Sequence, residues 1–78
     1  MTIPMNASIK FVISRVLHLS LEEISDNCSS ESLVAWDSLA HMRLVLALEE
    51  EFGISFDDVQ IVEMTSLAKI SQIIESKV

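Results

Sequence analysis

Between Ser38 and Phe52 the chain runs without a glycine or proline and is dense in strong helix formers: Leu39, Ala40, Met42, Arg43, Leu44, Leu46, Ala47 and Leu48. Asp37 stands before this run as a good N-cap. Gly53 stands after it as the residue best suited to the left-handed stop. At about 100° per residue, Leu39, Met42, Val45, Leu46, Leu48 and Phe52 share one broad sector. Ala40, Arg43, Ala47, Glu50 and Glu51 fall on the narrower remainder. A sector this wide predicts contact with more than one neighbouring helix.

The rest of the chain supplies those neighbours. From about Asn6 to His18, the residues Met5, Ile9, Val12, Ile13 and Val16 recur at helical spacing, with Lys10, Ser14 and Arg15 opposite. A long connection follows, from about Leu19 to Trp36. The polar run Ser25 to Ser30 at its centre favours turns, because these side chains compete for backbone hydrogen bonds. Leu21, Ile24, Leu33 and Val34 are expected to pin it to a core, and Ser20-Leu21-Glu22-Glu23 fits a capping box. Ser55 to Asp58 reads as a second cap, opening a short helix through about Val62 with Phe56, Val59 and Val62 inward. A last helix opens at Thr65 or Ser66, with Leu67, Ile70, Ile73 and Ile74 at helical spacing. The expected fold is all-α, a small bundle of three good helices and one short one, forming a single domain over residues 1–78.

Composition narrows the function. Five Lys and Arg against twelve Asp and Glu leave a net charge of −7, while half the residues are hydrophobic. A disordered acidic tail is excluded, since such a tail is poor in apolar residues. Without basic clusters the surface is unsuited to nucleic acid or anionic membrane and suited to basic protein partners. No apolar run approaches the roughly 18 residues of a membrane span. Met1 to Asn6 carries no basic n-region. A single Cys forms no internal disulfide and no zinc site. The expectation is a cytoplasmic monomer. Glu49-Glu50-Glu51, thickened by Asp57 and Asp58, lies near a helix C-terminus where negative charge is mildly unfavourable. Recognition of basic partners, or a divalent ion, would compensate.

Asp37-Ser38-Leu39 carries the chemistry. Amides at a helix N-terminus are unpaired and the dipole is positive there, so a phosphate esterified to Ser38 would gain about 0.3–1 kcal/mol. As an isolated tripeptide it is an ordinary cap. His41, three residues on, is a helical neighbour of Ser38, and a nucleophile–base pair can be drawn. No glycine-rich elbow accompanies it, and Asp37 is poorly placed to orient the ring. His18 and Cys28 have no ligand spacing to His41. Cys28, in its polar loop, is either exposed and oxidisable or incidental.

Trp36-Asp37-Ser38-Leu39, then Leu44 to Ile54, then Met64-Thr65-Ser66-Leu67 resemble an acyl carrier protein. The resemblance spans essentially the whole chain and is most specific from Trp36 to Ile54. It implies a four-helix bundle with a short third helix and a long first loop. It also implies that Ser38 receives 4′-phosphopantetheine from coenzyme A, whose thiol then holds acyl or aminoacyl groups as thioesters. No side chain need then be a catalyst. The implied partners are a phosphopantetheinyl transferase, an acyl- or aminoacyl-loading enzyme, and an acyltransferase or synthase. They would meet the carrier through Trp36, Asp37, Leu39, Met42, Arg43 and Glu50. Trp36 has a second reading, as a lid on the core. The chain departs from the family where Ala35-Trp36 replace a glycine and a variable residue, and where Ala40 and Arg43 replace acidic residues early in the second helix. These departures point to a specialised polyketide, peptide or unusual-acyl pathway. The rival reading is an unmodified acidic adaptor that binds basic proteins.

Overall fold

A computed structural model describes residues 5–77; Met1–Pro4, within the segment read as lacking a basic n-region, lie outside them. Helix α1 spans Met5–Leu17, α2 Ser38–Phe52, α3 Asp58–Glu63 and α4 Leu67–Lys77, with a 3₁₀ turn at Leu21–Glu23. α1 packs on both α2 and α4, and α3 packs chiefly on α4. This is the expected all-α bundle with a short third helix. Among the described residues no helix is long and apolar enough to cross a membrane.

The caps set the boundaries. Asp37 accepts the Ala40 amide at 2.8 Å, and Gly53 closes α2 with φ 64°. Asp57 accepts the Gln60 amide at 2.8 Å, while Gln60 Oε1 accepts the Asp57 amide at 3.1 Å. Ser66 Oγ accepts the Lys69 amide at the head of α4. Glu23 accepts the Ser20 amide at 2.9 Å, as a capping box requires. α1 stops at Leu17 rather than His18, because His18 turns left-handed at φ 57° and lets the Leu19 amide reach back to Ser14 O.

The core is built from Ile9, Val12, Ile13 and Leu17 of α1, Leu44, Val45 and Leu48 of α2, Leu67, Ile70 and Ile74 of α4, and Ile24, Cys28, Trp36, Phe56 and Met64 from the connections. α2 is rotated relative to the expected sector. Val45, Leu48 and Phe52 face inward as expected, but Leu39, Met42 and Leu46 are exposed, whereas Ala40 and Ala47 pack against the core. The inward stripe is Leu44, Val45 and Leu48, with His41 and Phe52 extending it half-buried at either end. Val59 and Val62 also face outward, since α3 buries none of its residues. In the long loop, Ile24 and Leu33 meet the core as expected, but Leu21 and Val34 do not.

That loop is pinned midway. Ser29 and Ser66 form an isolated bridge, with the Ser30 amide donating to Thr65 O and the Leu67 amide donating to Cys28 O. Cys28 is therefore buried rather than exposed. Burial pushes its thiol up from the ordinary value, outweighing the bond to the Leu67 backbone and the nearby Lys10 charge. A neutral, enclosed thiol is a poor nucleophile.

Candidate functional site

The pinned loop delivers Asp37 and Ser38 to the head of α2. Asp37 uses one carboxylate oxygen for the Ala40 amide, and its main-chain oxygen accepts the His41 amide at 2.8 Å. Ser38 is the first residue of α2 and is exposed. Its own amide and that of Leu39 belong to the helix positions without intrahelical acceptors. The hydroxyl therefore stands in solvent at the positive end of a helix.

Beside it lies an open groove of about 610 Å³, lined by Ser30, Trp36, Asp37, Ser38, His41, Met42, Ile61, Val62 and Thr65. Trp36, Met42, Ile61 and Val62 give it apolar lining, while Ser30, Asp37 and Thr65 offer hydrogen-bonding groups. A slender chain with both apolar and amide character suits such a trough. The residues present therefore fit a phosphodiester-linked pantetheine: an accessible oxygen, nearby amides for the phosphate, and mixed walls for the arm.

Trp36 and His41 are organised together. The indole Nε1–H donates to His41 Nδ1 at 3.0 Å, and the rings stack with centroids 6.3 Å apart. With Nδ1 accepting, the proton sits on Nε2, which donates to Ile61 O at 2.7 Å. Both ring nitrogens are thus committed, which removes His41 as a base for Ser38. Trp36 is only 4% exposed, which fits the reading as a lid on the core and leaves little of its surface for the expected partner contact. Asp37, Leu39, Met42, Arg43 and Glu50 are exposed around the same end and outer face of α2.

The acidic run is less uniform than its sequence suggests. Glu49 Oε2 accepts the Phe56 amide at 2.9 Å and fastens the turn after α2, leaving Glu50 and Glu51 exposed. Among the described residues, no three or more His, Cys, Asp or Glu converge as a metal site. Ser30, Ile61, Val62 and Thr65 line the groove without having been singled out from sequence as site residues. They come from two distant segments that meet only in the fold.

The family model described as a phosphopantetheine attachment site matches residues 7–74. An acyl carrier protein of Buchnera aphidicola subsp. Schizaphis graminum (strain Sg) is 33% identical over 69 residues, covering 88% of this chain and 87% of that protein.

Proposed function

The chain belongs to the acyl carrier protein family, whose prosthetic group is 4′-phosphopantetheine, and we propose that Ser38 is its attachment point. The protein is a carrier and not an enzyme, working with synthases and transferases. When bound, the group supplies a terminal thiol that holds acyl cargo as a thioester. The observation that carries the assignment to Ser38 is its exposed hydroxyl at the amide-rich head of α2, at the mouth of the mixed groove. Asp37 holds the helix end open by capping Ala40. Residues 1–78 act as one carrier domain.

Incubation with coenzyme A and a broad-specificity phosphopantetheinyl transferase tests this. Intact mass is expected to rise by one phosphopantetheine, and fragmentation is expected to locate the addition on Ser38 rather than on Ser30 or Thr65. An unmodified adaptor would gain nothing.

The pathway is a specialised one, loading polyketide-, peptide- or unusual-acyl-type cargo. Its partners read the outer face of α2, where Leu39, Met42 and Arg43 are exposed and Glu50 follows toward the helix end. Arg43 is exposed and makes no ion pair among the described residues. It therefore presents a positive charge to a partner, opposite in sign to the acidic residue that the family resemblance leads one to expect there. Arg43→Glu is expected to slow transfer with the cognate enzymes and to strengthen binding to fatty-acid enzymes, through a change in association rate that salt suppresses. Unchanged rates with both enzyme sets would remove Arg43 from recognition.

A further inference from the structure

α3 has six residues, buries none of them, and leans mainly on α4. Among the described residues, the hydrogen bond that joins it to α2 is the one from His41 Nε2–H to Ile61 O. Ile61 lies in the last turn of α3, where carbonyls lack an intrahelical amide. The Met64 amide reaches the same oxygen only at 3.4 Å. His41 thus caps α3 from the side, and Trp36 fixes the imidazole through Nδ1. Trp36 and Ile61 belong both to the groove wall and to the packing around the core. The chain Trp36–His41–Ile61 therefore runs along the seam that separates the groove beside Ser38 from the apolar interior.

We propose that His41 is a specificity-determining latch that keeps the arm's cargo in the outer groove. An alkyl chain tethered at Ser38 gains from leaving water in proportion to the methylenes it buries. Reaching the interior requires α3 to part from α2. That movement leaves the His41 Nε2–H, held in place by Trp36, and the Ile61 carbonyl unpaired, a penalty that outweighs a single ordinary hydrogen bond. The groove itself is open to solvent and includes hydroxyls in its lining, so it favours short or polar acyl and aminoacyl groups over long saturated chains. The inference rests on attachment at Ser38.

The test loads the full chain with an acetyl or an octanoyl arm from the corresponding acyl-coenzyme A, using the broad-specificity transferase. Intact mass verifies loading, and cleavage of the thioester by hydroxylamine is then followed by mass. The wild type is expected to release both acyl groups at the same rate. His41→Leu, which removes both bonds, is expected to protect the octanoyl thioester about tenfold, the population shift that burying roughly two methylenes supplies, with acetyl unchanged. Trp36→Phe, which removes only the indole donor, is expected to give part of that protection and serves if the Leu variant does not fold. His41→Gln can accept from Trp36 and donate to Ile61, and is expected to restore wild-type behaviour. An octanoyl group already protected in the wild type, or left unprotected in both His41→Leu and Trp36→Phe, overturns the latch while leaving attachment intact. A wild-type chain that gains no acyl-phosphopantetheine overturns the attachment and the latch together.

Discussion

Leu48→Ala is expected to leave the bundle at the edge of unfolding at ordinary temperature. Leu48 is fully buried in the core, and truncating such a leucine costs about 2–5 kcal/mol, the spread reflecting how far neighbours can collapse into the space. A chain of 78 residues at roughly 0.05–0.15 kcal/mol per residue has only about 4–12 kcal/mol to lose. Thermal melting is expected to fall by about 10 °C or more, since domains of this size shift by roughly 4–8 °C per kcal/mol. The sharp contrast is Leu46→Ala, two positions away. Leu46 is 59% exposed, so its truncation is expected to stay within about 0.5 kcal/mol of wild type. Circular dichroism melts of the two variants check the rotation of α2 directly. Equal losses would mean that both leucines are inside.

Ser38→Ala is expected to abolish the phosphopantetheine mass gain outright while leaving the melt within about 0.5 kcal/mol of wild type. The hydroxyl has no hydrogen-bond partner among the described residues, and alanine is a good helix residue. Removing the oxygen therefore removes the nucleophile and little else. Asp37→Ala is the instructive comparison. It deletes the N-cap and costs typically about 1 kcal/mol, yet the Ser38 hydroxyl remains, so modification is expected to persist at a reduced rate. Retained mass gain in Ser38→Ala would move the attachment to another hydroxyl and dissolve the reading of the groove.

Local signals were legible wherever a backbone group had a short-range partner. Asp37 with Ala40, Ser20 with Glu23, and the left-handed Gly53 are pairings within a few residues, and each marks its boundary in the sequence as in the fold. Ser38, the proposed attachment point, stood out through the family resemblance around Asp37-Ser38-Leu39, because a serine after a cap is by itself ordinary. The orientation of α2 was not legible, because that helix is apolar on two sides and periodicity alone does not say which side meets α1. Leu44 sits at the middle of the true inward stripe, while Leu39, Met42 and Leu46 form a second one that faces solvent. Met64 is fully buried from a connection too short to show any period. The tie from Trp36 through His41 to Ile61 spans segments 20 residues apart, and no local pattern announces it. A tryptophan five residues before a histidine was the available hint, and it gains meaning only when α3 comes alongside.

The bridge between Ser29 and Ser66 has a mechanical consequence for a protein whose work is to swing cargo. It divides the long connection into two shorter spans, and because closure entropy grows only with the logarithm of span length, the division is thermodynamically mild. What it secures is a pivot. The stretch from Ser30 to Asp37 becomes a short leash from an anchorage at the head of α4, so with the arm on Ser38, as proposed, the radius of delivery is set chiefly by the arm.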